Sequence, residues 1–182
     1  MKLVIINLEP EHSNYDNMLK QALVHTVKHE ADVIGFCQVK YGSYGAIREY
    51  LKGYGFHSHL ENDMRLKKEP GFLLFVRNLW RDVYIDLVSR IIVYEYNDKI
   101  YGMIDSNKDS SLQINNVLKL TEINNKSKDI ILMGRFNKNP KYPAHLTDNV
   151  ISVALNNKSK NIPIVKNEQV SFTKYGVSVF NI

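Results

Sequence analysis

The sequence predicts a mixed α/β protein in four layers, with two mixed sheets stacked between outer helices. Three observations point there. Strand and helix patterns alternate at the start in the order βαβαβ, antiparallel-looking strands fill the middle, and a further helix and more strands close the series. A doubly wound parallel sheet has no place for the hairpin-rich middle, whereas paired mixed sheets covered by helices do. No repeat period, low-complexity block or linker divides residues 1–182, so a single domain is expected.

Each element follows from local pattern. Residues 2–8 are β-branched and apolar, the composition of a buried strand. In residues 14–29, Met18, Ala22, Leu23, Thr26 and Val27 recur at helical spacing, with Ser13 or Asn14 as N-cap. Residues 32–39 form another buried strand, and residues 43–51 a helix running to Gly53, a natural C-cap. Strand signals follow at 55–59, 71–77, 83–87, 91–96 and 100–105. Residues 112–123 read as an amphipathic helix anchored by Leu112, Val117, Leu118 and Leu120, and 130–133 as a short apolar strand. The tail carries strand signals at 150–155, 162–165 and 177–180.

Composition excludes several classes. The chain has 182 residues, 44% hydrophobic and 24% charged, enough for a sizeable core and inconsistent with general disorder. The longest apolar runs fall far short of the roughly 20 residues that a membrane span needs. The opening MKLVIINLEP reads as a strand rather than a signal peptide. One cysteine, Cys37, rules out a disulfide scaffold and fits a reducing, cytoplasmic setting with no membrane association. Charge is uneven: residues 1–118 carry 14 Lys and Arg against 15 Asp and Glu, and residues 119–182 carry 10 against 4. That basic third either holds a polyanion such as nucleic acid or is a solvated Lys-rich surface. The lean towards Lys, Asn and Ile matches the coding bias of an AT-rich genome, as in a low-GC bacterium or its phages.

Three stretches carry a family resemblance. Residues 31–40, ADVIGFCQVK, resemble the "PDVIGLQEVK" strand of the endonuclease/exonuclease/phosphatase superfamily, the DNase I-like fold. Residues 130–137, IILMGRFN, resemble its "ILMGDFN" segment, and residues 173–182, TKYGVSVFNI, stand where it has "SDHyPVvaxI". Asn7 falls at the asparagine of its "WNV", the GYGF turn at 53–56 fits its order, and GFLLFV fits its "GvaIL" strand. The resemblance spans nearly the whole chain. It implies a trimmed version of that fold, because the chain is shorter than typical members.

The resemblance also implies what the polar positions do. The glutamate of "QEV" binds a divalent metal, usually magnesium, and stands here as Gln38. The "GDFN" aspartate, which helps position the nucleophile and transition state, becomes Arg135, while its asparagine is kept as Asn137. The aspartate and proton-handling histidine of "SDH" become Lys174 and Tyr175, and Asn7 is kept. Magnesium is held by carboxylates in near-octahedral oxygen geometry. Gln38 brings one neutral oxygen, and Arg135 and Lys174 make two negative positions positive. Arg cannot act as a base, and a phenol with a pKa of about 10 replaces imidazole poorly at neutral pH. The expected result is a degenerate site without a metal cofactor, which acts by binding nucleic acid or a protein partner. A viral or mobile-element factor would suit the compositional bias and the small size.

Other residues keep two readings. Asn7 and Asn137 either line a cleft or bond neighbouring backbone. Arg135 and Lys174 either grip phosphate or, for Arg135, pair with an acid such as Asp105. In the stretch 41–56, Tyr41, Tyr44, Arg48 and Lys52 form a stacking or protein-recognition surface, or a short helix packed on a sheet. His25 and His29 share a helix face, and His57 and His59 a strand face, with no third ligand at metal spacing, so both read as solvated pairs. Cys37 reads as a core thiol. The competing reading is an active nuclease or phosphatase using magnesium or manganese, rebuilt from Glu9, Glu11, Asp105 and His145.

Overall fold

The computed structural model describes residues 2–8, 10–40, 42–58, 71–77, 81–86, 91–96, 99–105, 116, 119, 129–135, 150–154, 170–172 and 177–181. Two mixed sheets and few helices make up these residues, and the chain divides into two compact units with one sheet each. The first unit comprises Met1–Leu79 and Glu168–Ile182, and the second Trp80–Asn167. Among the described residues no helix is long and apolar enough to cross a membrane.

In the first unit, β1 (Lys2–Asn7) runs parallel to β2 (Val33–Val39), with α1 (Tyr15–Lys28) as the crossover. Helix α2 (Tyr44–Lys52) then leads to the short β3 (His57–Ser58) and to β4 (Gly71–Val76). The tail returns as β10 (Val170–Phe172) and β11 (Val177–Asn181), giving the strand order β10-β11-β1-β2-β4-β3. Leu3 to Ile6 and Val33, Ile34 and Phe36 are fully buried, as continuous apolar runs demand of central strands. Helix α1 buries Tyr15, Leu19, Ala22, Leu23 and Thr26, one stripe at helical spacing, and leaves Val24 exposed. The Thr26 hydroxyl, fully buried, donates to the Ala22 carbonyl at 2.8 Å. With no glycine to end this helix, Glu30 takes the left-handed conformation (φ 52) and its N–H donates to the Val27 carbonyl.

Two close approaches shape this unit. A Cβ at Gly71 would fall on the Tyr44 hydroxyl, so only glycine lets the Tyr44 ring lie over the start of β4. At the far side, Arg77 donates from Nε to the Ala31 carbonyl at 2.8 Å and stacks 4.7 Å above the Phe56 ring. The glycine C-capping α2, Gly53, keeps a right-handed φ of −59, and the left-handed turn falls at Gly55 (φ 80).

The second unit holds β5 (Arg81–Asp86), β6 (Ile91–Tyr96), β7 (Lys99–Asp105), β8 (Asp129–Arg135) and β9 (Val150–Ala154), in sequential order. The first three strands pair antiparallel, and β7, β8 and β9 pair in parallel. Its core centres on the cross-strand pair Tyr94 and Tyr101, stacked 5.1 Å apart. Burial holds the Tyr94 phenol well above its ordinary pKa, and its hydroxyl reaches the Met133 sulfur at 3.6 Å.

The expected strands match to within a few residues, with one addition. β10 has no strong apolar pattern in its three residues VSF and is held by pairing with β11. The expected helix at 112–123 and strand at 162–165 lie outside the described residues, apart from helical positions 116 and 119.

One glycine tests the second unit. Gly134 has φ 119, and a Cβ there would fall on the Ile104 carbonyl of the neighbouring strand. Gly134→Ala is expected to cost about 3 kcal/mol or more, because backbone strain and overlap add. Urea denaturation checks this, and a cost below about 1 kcal/mol would refute it.

Candidate functional site

The parallel pairing of β1 and β2 brings two carboxyl ends to one sheet edge, with Asn7 in register with Cys37. In open α/β sheets ligands bind outside such ends. Asn7 is 6% exposed, and its Oδ1 is buried without a hydrogen-bond partner among the described residues. A buried acceptor left unpaired costs about 1–3 kcal/mol, so orphans of this kind are rare. Cys37 beside it is a buried cysteine.

Gln38 breaks the strand. The register of β2 against β4 shifts between Phe36 and Val39, and Gln38 takes φ 61. For a non-glycine residue this left-handed conformation costs about 1–2 kcal/mol. Bulges of this kind re-aim a side chain. Gln38 is half-buried.

Just past β2, the chain is clamped to the start of α1. The Lys40 backbone N–H donates to the Tyr15 hydroxyl at 2.9 Å, and Lys40 Nζ lies 5.8 Å from the Tyr15 ring centre. Burial pushes the Tyr15 phenol above its usual pKa, opposed by hydrogen bonds from the Lys40 backbone and the Ser43 side chain. Tyr15 and Lys40 were not singled out from the residue pattern. The usable signal was an aromatic at the first helical position and a lysine directly after an apolar strand.

The other expected positions separate. Arg135 ends β8 in register with Asp105 at the end of parallel β7. Asn137, Lys174, Tyr175 and Tyr41 lie outside the described residues, as do Glu9 and His145. On α2, Tyr44 is half-buried against Gly71, while Arg48 and Lys52 are exposed and Arg48 pairs with Glu49 at 3.4 Å. Tyr54, 46% exposed, lies 5.2 Å from the Tyr50 ring. His25 and His29 stack at 6.4 Å, and the His29 pKa is lowered by partial burial and by His25, Lys2 and Lys28.

Magnesium is the metal that the sequence resemblance implies. The ends of β1 and β2 offer two neutral amides, Asn7 and Gln38, and no charge. Among the described residues no three His, Cys, Asp or Glu side chains gather. A hard divalent cation needs carboxylate oxygens, so these residues do not fit it.

No family model and no curated protein matches the sequence. Solved structures do resemble the fold. An endonuclease/exonuclease/phosphatase family protein from Leptotrichia buccalis aligns over 76% of this chain and 67% of its own, at 16% identity and TM-score 0.50. TDP2 from C. elegans aligns over 79% and 51%, at 9% identity and TM-score 0.55. A 3′ phosphatase, NExo, from Neisseria bound to a product DNA hairpin aligns over 78% and 59%, at 17% identity and TM-score 0.50. The chain thus spans between about half and two thirds of these structures and shares their DNase I-like fold.

Two substitutions test the strand ends. Gln38→Gly removes the left-handed strain at a modest entropy cost, and is expected to stabilise the protein by about 0.5–1 kcal/mol in thermal melts. A loss of stability would show that the Gln38 side chain makes contacts outweighing the strain. Tyr15→Phe leaves the Lys40 N–H without its acceptor and is expected to cost about 1–3 kcal/mol. The folded pKa of Tyr15 lies above its unfolded value of 10.0, so its proton-linked stability is full below pH 10 and falls as pH rises further. In urea melts across that range, Tyr15→Phe should lose less stability than the parent; equal losses would refute the assignment.

Proposed function

We propose, from the premise of a DNase I-like fold, that this protein is a catalytically degenerate member of that fold class which binds nucleic acid without metal-dependent cleavage. Gln38 carries the reading. Where the resemblance puts a metal-binding glutamate, the chain has a neutral amide held on a left-handed bulge. The substitutions at Arg135, Lys174 and Tyr175 point the same way, since they remove negative charge and the imidazole together. Cationic groups without a metal hold phosphate oxygens and leave water unactivated. The excess of Lys and Arg in residues 119–182 supplies longer-range attraction for a polyanion. Nucleic acid accords with the fold neighbour solved on a DNA hairpin. A cytoplasmic setting accords with the single cysteine.

The competing reading, a rebuilt magnesium- or manganese-dependent nuclease or phosphatase, draws on one observation. The unpaired Asn7 Oδ1 is an acceptor that a donor or a cation would satisfy.

A turnover assay separates the two. The purified protein is incubated with magnesium or manganese, with and without chelator, on labelled single- and double-stranded DNA, RNA and a generic phosphodiester. Binding is followed in the same tubes by anisotropy. The expected outcome is no chelator-sensitive cleavage, with affinity falling linearly in log–log plots against salt at a slope of about −0.7 per single-strand phosphate engaged. Gln38→Glu should weaken binding by about two- to fivefold through added negative charge, without restoring cleavage. Chelator-sensitive cleavage that Asn7→Ala abolishes would establish the rebuilt enzyme instead. Absence of both cleavage and binding would point to a protein partner.

A further inference from the structure

We propose that the amides of Asn7 and Gln38 read the edge of an unstacked nucleobase, which deepens the binding reading above and rests on it for the class of ligand. Both residues belong to the first unit, where parallel β1 and β2 end side by side. Asn7 is in register with Cys37, and Gln38 follows on the bulge. Neither side chain carries a charge, so hydrogen bonding sets what the pair recognises.

One bond is missing, and its direction identifies the group that would make it. Asn7 is more than nine-tenths buried, and its Oδ1, an acceptor, has no partner among the described residues. A phosphodiester carries only acceptor oxygens and leaves that oxygen unpaired. A divalent cation needs carboxylates that this pair lacks. In DNA the remaining donors are the N–H groups of the bases, and adenine sets its N6 amino group beside the N7 acceptor. An Asn or Gln amide offers the matching acceptor and donor in one plane, which is why these side chains pair with adenine through two bonds. Burial adds a second restriction. An enclosed oxygen is out of reach of a base held inside a duplex, so the ligand is a single strand or an extruded nucleotide. Gln38 brings the second amide on a left-handed residue (φ 61), where glycine would sit without strain and without an amide.

The test uses the full chain in magnesium-free buffer. Anisotropy compares labelled single-stranded oligo-dA with an abasic strand of the same length and phosphate count, and with the matching oligo-rA. Variants are Asn7→Leu, which keeps the volume and removes the amide, and Gln38→Gly, which removes the second amide and the strain. The expected result is oligo-dA bound about tenfold or more tighter than the abasic strand, with that ratio falling below about twofold in either variant. Asn7→Leu should melt no lower than the parent, because it replaces an unpaired buried acceptor by an apolar group. If it melts well below the parent, the oxygen is already bonded in the free protein and base reading is overturned. Equal affinity for oligo-dA and the abasic strand overturns base reading and leaves the binding reading standing on phosphate alone. A preference for oligo-dA that survives both variants also overturns it, because the base is then read elsewhere. Tighter binding of oligo-rA, by a margin that Asn7→Leu erases, identifies the 2′-hydroxyl as the donor and overturns the base edge. If no strand binds, adenosine is titrated while the Asn7 side-chain amide is followed by NMR. Saturable movement then keeps base reading and overturns nucleic acid as its source, and an amide that stays still overturns both.

Discussion

Parallel pairing of β1 with β2 is the constraint on which the first unit depends. A parallel pair needs a crossover, and α1 provides it. The crossover returns the chain so that both strands end at one edge, with the start of α1 beside the end of β2. The bond from Lys40 to the Tyr15 hydroxyl ties that corner together. Burial pays no regard to function here: Leu3 to Ile6 and Val33 to Phe36 are apolar because both sheet faces are covered, and polarity begins only where the strands stop. Asn7 and Gln38 are the first polar side chains at that boundary. Their position follows from strand length, and their chemistry is left to sequence.

Electrostatics then decides what such an edge can hold. With a carboxylate at position 38 the edge would gather a cation and, through it, a phosphate. With an amide there, no charge balances a divalent ion. The second unit repeats the geometry with β7 and β8, whose parallel ends carry Asp105 and Arg135 in register. There a cation, Arg135, stands where the resemblance has an acid.

Much of this was legible in the sequence, and the limits have physical causes. Long apolar runs such as LVII and VIGF announce buried strands, and the 18-22-23-26 spacing announces the inner face of α1. The motifs around Gln38 and Gly134 fixed the order of elements because strand, turn and polar residue occur together in each. β10 was not legible, since a three-residue edge strand is stabilised by its partner rather than by its own composition. Nor was the bulge at Gln38: nothing in FCQVK favours a left-handed residue, so the conformation is imposed by pairing on either side.

The strand ends carry costs that the fold alone does not require. Gln38 sits in a conformation that costs about 1–2 kcal/mol, and the buried Asn7 oxygen lacks a bond worth about 1 kcal/mol or more. Two such features at adjacent strand ends are unusual, because drift readily replaces a strained residue by glycine and a buried orphan by an apolar side chain. Strain and unmet polarity persist where the surroundings enforce them, and they concentrate at ligand sites. Here both lie beside the edge that Lys40 and Tyr15 hold rigid. A donor supplied from outside the described residues would satisfy the Asn7 oxygen.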